Sequence, residues 1–253
     1  MSTNDRRAFL QKAITSALGL LVVGCDRVSD SDTGSRILDS AEGLTQRAQG
    51  LLSPSTRLAT EFSVADISPV FKGNGTVMPD TDEYRQLMAN GFQDYRVAVG
   101  GLVEAPRTWS LDELASLAQR TQITRHDCVE GWSAIGQWTG TPLAAVLAAV
   151  RPRTSAKYVV FHCYDKWDDD TFYYESIDLE EARHPQTILA YKLNGASLPV
   201  ANGAPLRLRV ERQLGYKHAK YIKRIELVDS FDDIEGGYGG YWEDNGYEWY
   251  AGI

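Results

Sequence analysis

From residue 95 onward the chain is dominated by short runs in which β-branched and aromatic residues alternate with polar ones. "YRVAVGGLV" (95–103), "KYVVFHCY" (157–164), "TFYYESIDL" (171–179), "TILAYKLNG" (187–195), "PLRLRVE" (205–211) and "YIKRIELVD" (221–229) predict strands, and "QITRH" just before Asp127 is strand-like. Helical signals are fewer. "SLDELASLAQR" opens with Ser110 three residues before Glu113, the spacing of a capping box. "TPLAAVLAAV" offers Thr141 as a cap and Pro142 at the first helical position. Upstream, Ile37, Leu38, Ala41, Leu44, Ala48, Leu51 and Leu52 recur at helical spacing and predict one amphipathic helix with both signs of charge on its polar face. No repeat of solenoid length occurs. The pattern predicts an α+β class, β-dominated, as a single domain over residues 61–253, preceded by a linker and helix over 26–60 and a leader over 1–25.

The leader is a targeting signal rather than part of the fold. Arg6-Arg7 precede Phe9-Leu10, an uncharged run extends from Ala13 to Gly24, and "LVVGC" ends at Cys25. That run is too short to span a bilayer comfortably. The twin arginine is similar to a Tat export signal, and "LVVGC" to a lipobox, with Val22 where leucine is commoner. Together they predict a protein exported to the periplasm or the outer face of a bacterial inner membrane, held there by lipid on Cys25. "DRVSDSDTGS" (26–35) reads as a flexible tether.

Charge narrows the partners. With 26 basic and 34 acidic residues the net charge is -8 over 253 residues, and there is no basic stripe, so nucleic acid is not an expected partner. Beyond Cys25 only Cys128 and Cys163 remain. An oxidising compartment permits a disulfide between them. A zinc site is poorly supported, because no Cys-x-x-Cys occurs and His162 and Cys163 point to opposite faces of a strand.

Two stretches carry the candidate chemistry. In "RHDCVEGW" (125–132), Cys128 follows a strand and precedes a turn at Gly131, a loop at a sheet edge. Arg125 and His126 favour its thiolate while Asp127 and Glu130 oppose it, so the sign of the shift stays open. No protease-like motif accompanies it, and a thiolate held on a redox-cycling metal is the better motivated use. In "NGAPLRLRVERQLGYKHAKYIKRIEL" (202–227), Asn202, Gly203 and Pro205 turn the chain into a strand with Arg207 and Arg209 on one face, and Lys217 and Lys220 follow. Such a knot of cations beside backbone amides holds a phosphate, or else protects a solvated strand edge.

Together these motifs, with "SAIGQWTGTPLAAVL" after the first, resemble the sulfite-oxidase-fold molybdopterin oxidoreductases, and within them the bacterial exported branch that includes the periplasmic methionine-sulfoxide reductase catalytic subunit. The likeness runs from about Phe62 to Ile253. It implies a molybdenum-molybdopterin cofactor with Cys128 as the protein ligand to the metal. It implies cofactor contacts from Asn202, Arg207, and the His218, Ala219 and Lys220 segment, and, on the looser match of "FKGNG", from Phe71, Lys72 and Asn74. Cys163 occupies a position where the family's reductases often carry threonine near the cofactor; a buried strand cysteine is the equal alternative.

The implied activity is transfer of one oxygen atom and two electrons, reducing a small S- or N-oxide such as a sulfoxide. Sulfite dehydrogenation and a cofactor-free binding lipoprotein are the alternatives. Asp127, Glu130, Asp165, Asp168, Asp169 and Asp170 would repel sulfite if they line the mouth. Haem-attachment and iron–sulfur cysteine patterns are missing, so electrons are expected from a separate electron-transfer protein, for which a membrane haem protein is suited. No counterpart of the eukaryotic enzymes' dimerisation domain is expected after the motifs, which run to Ile253. The tail "GGYWEDNGYEWYAGI" is expected to pack over the domain as a lid or strap, or to bind a partner as a mobile segment.

Overall fold

A computed structural model describes residues 57–167 and 171–253. The leader, the tether and the helix expected over 37–52 lie outside the described residues, as do Asp168, Asp169 and Asp170. The described residues belong to one compact unit, Ser53–Ile253.

Two sheets build it. The first has β1 (Val97–Gly101), β2 (Arg107–Trp109), β5 (Tyr158–Lys166), β6 (Phe172–Asp178) and β10 (Ile222–Val228), in the order β2-β1-β10-β5-β6. Only β1 and β10 run parallel; the other pairs are antiparallel. The second has β3 (Arg120–Asp127), β4 (Ser133–Pro142), β7 (Ile188–Leu193) and β8 (Ala196–Ser197) in chain order, with β9 (Arg207–Arg209) also on β7. The helices are short: α1 (Asp82–Ala89), α2 (Leu111–Leu117), α3 (Leu143–Val150), α4 (Leu179–Ala182) and α5 (Tyr241–Asp244). This is the β-dominated α+β architecture that the alternating pattern predicts.

The main core lies between the first sheet and the helices. Val97 and Val99 of β1, Val159 and Phe161 of β5, Ile225 and Leu227 of β10 and Leu143, Val146 and Val150 of α3 are all buried in it. Their period-2 and helical spacings are what turned these faces inward. A second cluster, Trp138, Ile188, Ala190, Leu193, Leu198 and Ala204, supports the second sheet, and Phe71 packs on it. Gly140 allows β4 to approach β7, because a Cβ there would lie 2.3 Å from the Leu189 carbonyl oxygen, at the point where the strand register shifts.

Two helix expectations meet different outcomes. The capping box at Ser110 and Glu113 is formed, with each side chain accepting the other residue's backbone N–H. Thr141 does not cap α3. Strand β4 continues through Pro142, and Thr141 Oγ1 donates to the Leu114 carbonyl at 2.8 Å instead, tying α2 to β4. Helix α1 has its own cap in Thr81, whose hydroxyl accepts from Tyr84 N; its Thr81-Asp82-Glu83 start carried the signal.

On the outward side of β5, His162 pairs with Glu226 at 3.1 Å and faces Arg224, while Cys163 points into the core. Burial, then Arg224, lowers the His162 pKa from 6.5 to about 4, against the opposing pull of Glu226. The folded state therefore binds this proton less tightly than the unfolded chain, and stability is lost as the pH falls from 6.5 through 4. We expect urea midpoints to drop between neutrality and pH ~5, and His162→Gln to flatten that drop. An unchanged slope in the variant assigns the loss to other groups.

Candidate active site around Cys128

Cys128 begins the hairpin between β3 and β4. Its N–H donates to the Trp132 carbonyl at 2.9 Å and its own carbonyl accepts from Gly131 N at 3.0 Å, with Gly131 at φ 83, where a side chain is strained. Outside this turn, Asp127 accepts from Ser133 Oγ and pairs with Arg125, so Asp127 and Arg125 satisfy one another. Glu130 accepts from Trp132 Nε1 at 2.8 Å and from Gly75 N at 3.2 Å, and these bonds lower its pKa. Cys128 is nearly closed off, and burial raises its thiol pKa. Lys72 and Lys220 oppose the rise; Arg125 and His126, expected from sequence to favour the thiolate, are not among its causes.

The thiol lines a cavity of about 260 Å³, together with the polar residues Asn74, Glu130, Asp165 and Lys220 and the apolar and aromatic residues Val129, Trp167, Tyr173, Tyr216, Trp242 and Tyr247. Lys220 reaches it from the segment before β10, its ammonium donating to the carbonyls of Asn74 and Thr76. Burial, then Arg207, lowers Lys220 to about 7, while burial raises Asp165 to about 6. Each charge supports the other, which leaves both groups titrating close to neutrality.

Behind this wall lies the cation knot, and none of it is a solvated strand edge. Arg207, Arg209 and Lys217 are 0% exposed and Lys220 5%. The structure splits the four by partner. Arg209 forks onto Glu211 and donates to His126 Nδ1 at 2.9 Å. Lys217 sits between Glu175 and Glu243 at 2.5 Å from each. Both are thus neutralised within the protein. Arg207 stacks over Trp138 at 4.9 Å and donates Nη1 to the Asn202 carbonyl, but its Nε and Nη2 have no partner.

Two histidines add to this orphaned set. His126 receives the Arg209 bond at Nδ1, and arginine always donates, so its proton sits on Nε2, which has no partner. His218 faces the Gln213 carbonyl through Nε2, which places its proton there and leaves Nδ1 an unpartnered acceptor. Burial and the neighbouring arginines hold both rings neutral. Their centroids are 4.9 Å apart, edge to face. Gly215 lets the backbone come this close, because a Cβ would meet His126 Nε2 at 2.7 Å. Asn74 Oδ1 and Asp165 Oδ1, on residues that line the cavity, are likewise buried and unpartnered.

The structure brings most residues singled out in the sequence to this place. Phe71 stands edge-on to Trp138 at 5.0 Å, and its carbonyl accepts from Asn202 Nδ2. Lys72 lies 5.8 Å over Trp132. Ala219 is fully buried between His218 and Lys220. Cys163 is apart: it is 1% exposed in the main core, does not line the cavity, and like Cys128 is a free thiol, so no disulfide joins them. The sequence reading missed Asp165, except as one of several acids, and the roles of Arg209, His126 and the aromatic wall. Their signal was positional: buried charges become visible only once their partners are placed.

Buried donors and acceptors left without protein partners beside a thiol define a cradle for an anionic, nitrogen- and oxygen-rich organic group. Comparison with known proteins gives that class its family. The model of the oxidoreductase molybdopterin binding domain matches residues 85–233. A putative protein-methionine-sulfoxide reductase subunit YedZ1 of Azospira oryzae is 40% identical over 247 residues, covering 98% of this chain and 87% of its own. The catalytic subunit MsrP of Xanthomonas axonopodis pv. citri is 36% identical over 90% of this chain and 71% of its own; that of Ralstonia nicotianae is 41% identical over 53% and 44%. The sulfane dehydrogenase SoxCD of Paracoccus pantotrophus has a similar fold, with a TM-score of 0.50, 23% identity, and coverage of 58% of this chain and 42% of that one. The chain belongs to the molybdopterin-binding oxidoreductase family, and molybdopterin is its cofactor.

Proposed function

We propose that this protein reduces sulfoxides, methionine sulfoxide in proteins foremost, with Cys128 as the protein ligand to molybdenum. The observation that carries the reading is the juxtaposition of Cys128 with unpartnered buried groups in a cavity that aromatic residues also line. Relatives named for protein-methionine-sulfoxide reduction at 36–40% identity support the direction.

Each group in the cradle has a fitting task. Arg207 Nε and Nη2 and His126 Nε2 as donors, and His218 Nδ1 and Asn74 Oδ1 as acceptors, would hold the cofactor. Asn202 orients Arg207 through its carbonyl, and Phe71, Lys72 and Trp132 cover one side. When bound, the cofactor supplies two-electron redox chemistry and a site for the transferred oxygen. Reduction of a sulfoxide to a thioether and water consumes two protons, and Asp165 and Lys220, both titrating near neutrality on the cavity wall, hold protons at Oδ1 and Nζ within reach of the substrate oxygen. Glu130 and Asp165 disfavour an oxyanion in the same space.

Electrons come from a separate protein, for which a membrane haem protein is suited. Among the described residues no helix is long and apolar enough to cross a membrane. Export by the twin-arginine signal and a lipid on Cys25 would place the enzyme beside such a donor at the periplasmic membrane face. The test compares kcat/KM for a methionine-sulfoxide peptide with a reduced artificial donor against sulfite with an artificial acceptor, on one molybdenum-loaded preparation. We expect the sulfoxide to win by at least about tenfold, roughly 1.4 kcal/mol. The reverse ranking makes the chain a sulfite dehydrogenase.

A further inference from the structure

The cavity lining is of two kinds: polar groups from Cys128, Asp165, Lys220 and Asn74, and a ring of apolar side chains from Val129, Trp167, Trp242 and Tyr247. Three of the ring residues stand in water, Val129 at 46%, Trp167 at 40% and Tyr247 at 42% exposed. They come from three stretches remote in sequence: the Cys128 hairpin, the end of β5 and the C-terminal segment. Exposed apolar side chains gathered from distant parts of a chain around one cavity have a solvation cost that folding alone does not explain.

The ring is also built to stay in place. Trp242 and Tyr247 stack at 5.0 Å and 29°, and Trp167 meets Trp242 edge to face at 4.9 Å. The C-terminal segment that carries two of them is fastened to the body by Glu243 on buried Lys217. Asp244 accepts from the Tyr174 hydroxyl and from Gly236 N and Tyr238 N, and Trp249 Nε1 donates to Ser176 Oγ. The Tyr216 hydroxyl donates to the Glu248 carbonyl. The tail is therefore a strap with a fixed inner face, and a preorganised aromatic wall binds without an ordering cost.

We propose that Val129, Trp167, Trp242 and Tyr247 form the subsite that recognises the apolar arms of a sulfoxide together with the polypeptide that carries it, so that the enzyme selects methionine sulfoxide exposed on a flexible chain over small free oxides. This rests on the sulfoxide-reductase reading and adds to it the residues that set specificity. A sulfoxide is a strong dipole between two apolar substituents. Its oxygen belongs with the polar groups; its sulfur and methylenes match aromatic faces and edges. A cavity of about 260 Å³ admits one side chain, and the exposed ring then lies against the residues that flank it.

The experiment uses the full-length molybdenum-loaded protein and its Trp242→Ala, Trp242→Phe and Trp167→Ala variants. Two quantities are read: kcat and KM with a reduced artificial donor, for a short peptide bearing one methionine sulfoxide and for dimethyl sulfoxide, and the Kd of the same peptide without donor, by calorimetry. We expect Trp242→Ala to raise peptide KM and Kd about tenfold with little change in kcat, to lower dimethyl sulfoxide kcat/KM by a clearly smaller factor because that substrate lacks the flanking chain, and Trp242→Phe to restore most of the loss. Trp167→Ala, outside the strap, should act in the same direction. Parallel losses for both substrates, or peptide KM and Kd unchanged in both alanine variants, overturn the subsite. If the parent protein reduces neither oxide, the reductase reading fails by itself, and the Kd series still decides whether the ring binds the peptide.

Discussion

Replacing Cys128 with alanine is expected to abolish sulfoxide reduction while leaving the protein folded. The hairpin that presents the thiol is held by main-chain bonds between Cys128 and Trp132 and between Gly131 and Cys128, neither of which uses the side chain. Cys128 also lies outside both apolar clusters. What the substitution removes is the one thiol on the cavity wall, the proposed ligand to the metal. Losing even an outer partner of a metal ligand costs about 10–100-fold, so loss of the ligand itself should exceed about a hundredfold. Turnover with a reduced donor, molybdenum content and a urea melt measure the three parts of the claim. Cys163→Ala is the counterpart: it should keep activity and lose about 1 kcal/mol of stability from the core. Normal turnover in Cys128→Ala would end the ligand assignment.

The second large effect is expected at Arg207, where binding and stability should move in opposite directions. Without cofactor its guanidinium is fully buried with Nε and Nη2 unpartnered, and burial followed by Arg209 works against its charge. Arg207→Met removes that burden. Replacing poorly compensated buried charge with an apolar side chain stabilises by about 1–4 kcal/mol, so the cofactor-free variant should melt later than the cofactor-free parent. If Arg207 holds the cofactor as proposed, the same change deletes charge-assisted bonds of about 1.5–3 kcal/mol, a loss of tenfold or more in affinity, and purified variant should be depleted in molybdopterin. Arg209→Met should behave otherwise, because it strands Glu211 in the interior and lowers stability with or without cofactor. Full occupancy in Arg207→Met, or destabilisation equal to that of Arg209→Met, would show that Arg207 is structural.

Much of the architecture was readable because local rules were obeyed. Each strand expected from alternating residues formed within a few positions of its predicted ends, and the capping box at Ser110 formed as its spacing required. The misread start of α3 has a definite cause. Thr141 and Pro142 are good helix openers locally, yet pairing of Thr141 with Leu189 and of Pro142 with Ile188 keeps them in β4. Long-range strand pairing outweighed the local preference. The site residues from 202 to 220 were legible as a basic cluster in an acidic protein, and Cys128 as the cysteine between a strand and a turn.

By itself the sequence determined the β-dominated class, the family motifs and the residues that meet around Cys128, because periodicity, turn chemistry and side-chain type are local properties. It did not determine which of four neighbouring cations are free to bind. Arg209 and Lys217 are consumed by Glu211, Glu175 and Glu243, and Arg207 is left with open donors, only because residues up to 42 positions apart are brought within hydrogen-bond distance. The tertiary structure likewise decided that the acid–aromatic tail is a strap. Lys217 needs its carboxylates once buried, and meeting that need places Trp242 and Tyr247 over the cavity.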